Sequence, residues 1–232
     1  RALGASLDFE REYFTLDEER SAAVQEAFVR LWDAGLVYRA HRMVHWCPRL
    51  LTALSDLEVD KVQVSRPTTL DLFGQRVLFG VADDVEYRVV DSPESIVVRT
   101  TRLETAFADV AIAVHPNDPC LAKFVGKRVH HPLLPDKTLP VVADDVLVDP
   151  TLGTGAVKVT PTHDENDLAC ALRLGLPLGE PVIRDDGTLD PNMVSVEFAG
   201  MDRFAARARL RNRHAIKTHD HAMVVSLCSR TG

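Results

Sequence analysis

Apolar positions recur with two different periods along this chain. Between residues 16 and 34, Val24, Ala27, Phe28 and Leu31 are three and four residues apart, the spacing of one helical face. Thr15 followed by Glu18 has the form of a capping box, and Gly35 offers a C-terminal stop, so the pattern predicts a helix near 16–34. Short strand-like pieces follow at Val37-Tyr38-Arg39 and Met43-Val44-His45-Trp46. From about residue 59, short β-branched runs are separated by Gly, Pro, Asp and Asn. The predicted strands are 77–79, 87–90, 95–100, 110–114, 139–142, 155–160, 181–183 and 223–227. Helices are predicted near 163–174, ended by Gly175, and near 202–213. Many short strands with few helices define an α/β chain. Its main body is expected to be β-rich and barrel-like with a few peripheral helices, over 59–227. A helical connecting segment, 1–58, precedes it.

Composition narrows the class. The chain has 232 residues, 46% hydrophobic and 26% charged, the balance of a globular protein. No apolar run approaches the roughly 18 residues of a membrane span, so no membrane partner is expected. Arg1-Ala2-Leu3-Gly4 leads straight into polar sequence, without the form of a signal peptide. The four cysteines, Cys47, Cys120, Cys170 and Cys228, are scattered, which fits reduced thiols and a cytoplasmic location. Neither HExxH nor CxxC occurs, and His219-Asp220-His221 reads as a solvated loop, so no metal site is predicted. The net charge of −7 argues against broad nucleic-acid binding but leaves room for contact with a nucleic-acid end. Arg203, Arg207, Arg209, Arg211, Arg213 and Lys217 form the only strong basic run, either a solvated helix face or a set of phosphate contacts.

Two segments carry candidate chemistry. In the strand 155–160, alternation turns Val157 and Val159 to one face and Ala156, Lys158 and Thr160 to the other. A lysine and a threonine on one face suit either a solvent-exposed surface or a polar pocket. Pro161-Thr162-His163-Asp164-Glu165-Asn166-Asp167 then opens a helix, with Thr160 or Thr162 as possible caps and acids in the first turn. Asp164 is explained by that helix start; Asp167, three residues on, shares its face and offers a partner for an ammonium group. Upstream, Thr100, Thr101 and Thr105 cluster hydroxyls around Arg102, which alternatively pairs with Glu104 or Asp109.

These segments resemble the editing domain inserted in the class I aminoacyl-tRNA synthetases that charge valine, isoleucine and leucine. The quoted motifs are nearest to the valine branch. Thr100-Thr101-Arg102-Leu103-Glu104-Thr105 matches the family's T-T-R-P-E-T, with Leu103 in place of proline. Ala111-Ile112-Ala113-Val114-His115-Pro116 matches A-V-A-V-H-P. Residues 153–167 match G-T-G-A-V-K-x-T-P-A-H-D-x-N-D, with Thr162 in place of alanine. Glu104 favours the valine branch, as do Trp46-Cys47-Pro48 and the run 52–59. Leu50 stands where many relatives carry a second cysteine.

The resemblance implies hydrolysis of the threonyl ester on mischarged tRNA for valine. It carries Lys158, Thr160, Asp164 and Asp167 over as catalytic-pocket residues, with Asp167 on the substrate's amino group. Thr100, Thr101, Arg102, Glu104, Thr105 and His163 are carried over as substrate-binding. The implied partners are the 3′ aminoacylated tRNA end, its threonine moiety and the rest of a synthetase chain. ATP and magnesium would belong to that remainder, with no cofactor here. Residues 228–232 would begin the return into the synthetic domain. The alternatives are an editing domain of the isoleucine or leucine enzyme, or a non-catalytic module binding a tRNA end.

Overall fold

The computed structural model describes residues 4, 6–40, 42–72 and 74–231. Arg1, Ala2, Leu3 and Gly232, on which part of the leader and re-entry expectations fall, lie outside the described residues. Two units divide the chain, residues 1–42 and 43–232.

In the first unit the predicted helix is α1, Glu18–Asp33. Its cap is Asp17 rather than Thr15: the Asp17 carboxylate accepts from the Arg20 backbone N–H at 2.9 Å. A carboxylate one residue from the helix also meets the dipole's positive end, which a hydroxyl two residues earlier does not. No residue of α1 is buried. Val37–Arg39 forms no strand.

The second unit is strand-rich. Its strands are β1 His45–Cys47, β2 Thr52–Leu54, β3 Val59–Val64, β4 Thr68–Leu72, β5 Gln75–Phe79, β6 Val81–Arg88 and β7 Ser95–Thr100. After a 3-10 turn, Leu103–Ala108, come β8 Ala111–Val114, β9 Arg128–His130, β10 Thr138–Ala143 and β11 Ala156–Val159. Helices α2 Glu165–Leu174 and α3 Arg203–His214 precede β12 Lys217–Asp220 and β13 Met223–Cys228. The strand-rich α/β class is as expected. Among the described residues, however, the strands form five open sheets and none closes into a barrel. The predicted strand at 181–183 is reduced to a single bridge, Ile183 to Leu189.

Two sheets and two helices position the site. One sheet has the order β11-β8-β10-β9, with β8 and β10 parallel; the other has the order β12-β6-β7. Strand β8 is apolar at every position because both its faces are covered. Ile112 and Val114 join the main core with Tyr87, Ile96, Phe107, Phe198 and Leu210. Ala111 and Ala113 face the other way, with Val159 and the α2 residues Cys170 and Ala171. Gly175 ends α2 in the left-handed conformation at φ 64°, as its position predicted. Gly155 turns the chain into β11 at φ 76°, where a side chain would meet an Asp118 oxygen at 3.1 Å.

Candidate active site

A cleft of about 360 Å3 opens where the end of β7, the 3-10 turn, β11 and the start of α2 converge. It is lined by Thr100, Thr101, Arg102, Thr105, Lys158, Thr160, His163, Asp164 and Asp167, so every predicted site residue except Glu104 comes together there. Arg99, Asn166, Leu152 and His221 complete the rim.

The threonine-rich turn is closed by its own side chains. Thr100 Oγ1 accepts from the Arg102 backbone N–H at 3.1 Å, and the Thr105 hydroxyl donates to the Arg102 carbonyl at 2.8 Å. Leu103 is fully buried in the main core and anchors the turn by packing, without the fixed φ that proline supplies in the family pattern. The Arg102 guanidinium reaches across the cleft to the His163 carbonyl at 2.7 Å. It lies 3.8 Å from Glu104, so of the two alternative carboxylates Glu104 is the one Arg102 meets.

Glu104 corrects the sequence reading. It does not line the cleft. Its side chain points the other way, into α3, where Arg207 Nε and Nη2 donate to its two oxygens at 2.6 and 2.5 Å. Burial alone would raise this carboxyl, but the Arg207 charge and hydrogen bonds override it and hold it at about 2. The basic run is corrected with it. Arg207 belongs to this buried pair, Arg211 binds Asp83 at 2.8 Å, and Arg209 and Arg213 share Glu197. All four of these guanidinium groups are therefore engaged within the fold, two of them on one shared carboxylate.

Strand alternation holds on β11. Val159 is buried under α2, while Ala156 joins the main core. The lysine face is not solvated: Lys158 is buried, and its ammonium donates to Thr160 Oγ1 at 2.6 Å and Thr105 Oγ1 at 3.0 Å. Beneath it lies Asp109, 3.5 Å from Lys158 Nζ. The Thr160 hydroxyl donates to Asp109 Oδ1 at 2.6 Å, and the Tyr87 hydroxyl donates to Oδ2 at 2.6 Å. Burial beside that carboxylate raises the Tyr87 phenol well above its usual range, so it remains a donor. Sequence reasoning weighed Asp109 only as a partner for Arg102, and it overlooked Tyr87. The available signal was a lone carboxylate in the apolar run 106–114, which cannot be buried cheaply without partners.

At the helix start, the cap is Asp164 and not a threonine. Its Oδ1 accepts from the Asn166 and Asp167 backbone N–H groups at 2.9 and 3.2 Å. Asp167 is buried, and its Oδ2 accepts from the Thr160 backbone N–H at 2.8 Å. Desolvation outweighs that bond and the Lys158 charge, and pushes the carboxyl up to about 6. His163 Nε2 accepts from the Val182 backbone N–H at 3.0 Å. Burial, with Arg102 and Lys158 nearby, lowers this imidazole to about 3. It is a neutral acceptor with that nitrogen committed, so Nε2 is not free to act as a base. His219 belongs to β12 rather than a solvated loop; its Nε2 is 2.7 Å from Asp84.

Strand, threonine turn and helix start thus assemble one polar cleft from motifs far apart in sequence. The profile of tRNA synthetases class I (I, L, M and V) matches residues 1–221, and the chain belongs to that family. Within the family it is similar to valine--tRNA ligases. That of Schizosaccharomyces pombe is 44% identical over 236 residues, covering 99% of this chain and 24% of the relative. That of Corynebacterium jeikeium is 48% identical over 212 residues, covering 91% of this chain and 21% of the relative. The chain thus spans less than a quarter of the length of these curated relatives. The LeuRS-tRNA-LeuAMS ternary complex of Agrobacterium radiobacter K84 aligns with a TM-score of 0.42 at 20% identity, covering 91% of this chain and 33% of that one. Among the described residues no helix is long and apolar enough to cross a membrane.

Proposed function

We propose that this chain is the editing domain of a valine-charging synthetase and hydrolyses the threonyl ester of mischarged tRNA for valine. One observation carries the reading: the Lys158 ammonium and the Asp167 carboxylate flank Thr160 in a single cleft. A threonyl ester carries a cationic amino group and a side-chain hydroxyl, the two features such a pair can recognise. The similarity to valine--tRNA ligases supports the assignment to a valine-charging enzyme.

The physical need is a second selection step. Threonine and valine are nearly isosteric. For valine-charging enzymes the discrimination by an apolar synthetic pocket is already established at about a hundredfold. A polar cleft inverts the test, because a valyl methyl would leave the buried donors without a partner. In this reading Asp167 pairs with the α-amino group, Lys158 and Thr160 read the side chain, and Arg102 with Thr100, Thr101 and Thr105 lines the path of the terminal adenosine. His163 contributes its carbonyl, which fixes Arg102. Asp164 stands exposed at the rim, and in this reading its carboxylate orients the water that attacks the ester. An ester is already an activated acyl group, so orientation of water and substrate supplies much of the rate.

The hydrolysis is proposed to need no metal. The floor of the cleft already holds an ammonium, which repels a divalent cation. No group of three or more His, Cys, Asp or Glu among the described residues is placed to hold one. ATP and magnesium would serve the synthetic site of the parent enzyme. The test is deacylation of threonyl-tRNA and valyl-tRNA by the intact synthetase containing this chain, with and without chelator. Faster turnover of the threonyl ester, unchanged by chelator, is expected. Equal turnover of both esters, or none of either, refutes the reading.

A further inference from the structure

The sheet β12-β6-β7 has two faces, and consecutive aspartates on β6 serve one each. Asp83 turns to Arg211 of α3 and to the Thr218 hydroxyl. Asp84 turns the other way. Its register partners are Arg99 on β7 and Lys217 on β12, so Lys217, Asp84 and Arg99 form one row across three strands. Beside that row, His219 stands opposite Ala82, a small side chain that lines the cleft together with Arg99. Ala82 and Arg99 therefore carry the cleft floor out onto this face of the sheet.

The charges of the row do not cancel. Arg99 Nε and Nη2 donate to the two Asp84 oxygens at 2.7 and 3.0 Å, and His219 Nε2 lies 2.7 Å from Asp84 Oδ2 and 3.0 Å from Arg99 Nη2. The hydrogen bonds from Arg99, with that of His219, hold the Asp84 carboxyl below its ordinary range although it is buried. Asp84 is thus an ionised clamp for one guanidinium. A guanidinium has five N–H groups, and the two on Nη1 meet no acceptor among the described residues. Lys217 is exposed and forms no ion pair among the described residues. Further along the same face, Arg88 and Glu86 balance each other at 3.6 Å. The row is left with one cation in excess, on a chain whose net charge is −7.

We propose that this sheet face is a track for the single-stranded 3′ end of tRNA: Arg99 Nη1 and the Lys217 ammonium take phosphodiester groups upstream of the aminoacylated adenosine seated in the cleft. The inference rests on the hydrolytic reading above and adds the direction in which the strand leaves the cleft. A guanidinium clamped along one edge presents its remaining N–H groups in a fixed direction, so little side-chain freedom is lost when a phosphate binds. Lys217 supplies a point charge two strands away, roughly 10 Å at the backbone, within reach of a neighbouring phosphate of an extended strand. The basic run of the sequence thus divides: its arginines on α3 serve the fold, and its last member, on β12, serves the strand.

The test uses the intact synthetase as wild type, Lys217→Ala and Arg99→Gln, with Lys61→Ala on exposed β3 as a control for loss of one surface charge. Each is assayed on threonyl-tRNA and on the 3′-threonyl ester of adenosine, which carries no phosphate, and melting temperature reports folding. On threonyl-tRNA, KM is expected to rise about threefold in Lys217→Ala and about tenfold in Arg99→Gln, with kcat unchanged. The slope of log kcat/KM against log salt should become shallower by about 0.7 for each phosphate contact removed from a single strand. On the adenosine ester both variants should match wild type, and Lys61→Ala should match it on both substrates. A purely structural Arg99 would instead lower the melting temperature and impair both substrates alike, which overturns its part in the track. Unchanged KM and salt slope in Lys217→Ala overturn the proposal. Should Arg99→Gln not fold, Lys217→Ala decides alone. A wild type that cleaves neither ester removes the hydrolytic reading and this proposal with it. A wild type that cleaves both, with variants indistinguishable from it on threonyl-tRNA, removes this proposal only.

Discussion

Glu104 and Thr105 are neighbours in one 3-10 turn, yet they serve two buried ion clusters of opposite character. Glu104 turns back to Arg207, and its two oxygens take two guanidinium N–H groups. Thr105 turns forward to Lys158, in the cluster that includes Asp109, Thr160 and Asp167. In the first cluster the carboxyl is pulled down to about 2; in the second, the Asp167 carboxyl is pushed up to about 6. Burial is similar in both. What differs is completion: the Glu104 pair is closed and bidentate, whereas Asp167 has one backbone N–H and a lysine shared with other groups. A closed pair holds the fold together. An incompletely compensated carboxylate in a cleft lowers stability, and in the proposed reading it pairs with the amino group of the substrate.

The largest expected effect therefore falls on the closed pair. Glu104→Gln leaves the buried Arg207 guanidinium without its charge partner and should cost about 3–5 kcal/mol, read from urea unfolding. The pH dependence has a definite sign. The folded Glu104 carboxyl lies below its ordinary value of 4.5, so its contribution is present above that value and is lost as pH falls toward about 2. The variant should lack that part of the acid limb. A loss below about 1 kcal/mol, the scale of an exposed ion pair, would break the comparison.

Asp167→Asn should do the opposite to stability. The folded carboxyl lies above its ordinary value of 3.8, so its favourable contribution is present below that value and is lost as pH rises through about 6. At neutral pH the ionised form is therefore a burden on the order of 2–3 kcal/mol, since each pKa unit corresponds to about 1.4 kcal/mol. The amide keeps an oxygen for the Thr160 N–H and sheds the charge. Its melting temperature at neutral pH should match or exceed that of wild type, and the difference should vanish near pH 4. Threonyl-tRNA hydrolysis should fall about ten- to a hundredfold with loss of the charge-assisted contact. A variant that melts lower and hydrolyses at the wild-type rate would move Asp167 from the site to the scaffold.

This contrast marks where the sequence was legible. The helices α2 and α3 and the strands β7, β8 and β11 follow from periodicity and punctuation, because their pattern is local. So does the pairing of Lys158 with Thr160 on one strand face. Caps were displaced from threonine to the nearest carboxylate, at Asp17 and Asp164, since both residue types satisfy the same rule and only geometry chooses. Strands β3 and β4 were missed: β3 is mostly exposed, β4 alternates exposed with half-buried positions, and both carry charges or threonines that blur the period. Glu104 was misplaced because adjacent residues of a tight turn point in different directions, which linear spacing does not encode. Asp109 and Tyr87 were invisible as a pair, being 22 positions apart and joined by a side-chain hydrogen bond that only the tertiary fold brings about.

The smallest expected effect is on the outer face of α3, where the basic run invited a reading as a contact for tRNA phosphates. Arg209 and Arg213 both lean on Glu197 and remain partly exposed. Exposed pairs of this kind contribute about 0–1 kcal/mol, because solvent screens the charges and ordering two long side chains offsets the attraction. Arg209→Ala and Arg213→Ala should therefore each shift unfolding by less than about 1 kcal/mol. Their consequence for nucleic acid is equally limited. One carboxylate already offsets part of the charge of two guanidinium groups, so few counterions would be displaced from a bound phosphate. The apparent KM for threonyl-tRNA and the slope of its salt dependence should remain within about twofold of wild type. A variant with a clearly shallower salt slope would show that Arg213 exchanges Glu197 for phosphate when tRNA binds. The outer face of α3 would then belong with the open cluster, its charges held in reserve for a ligand.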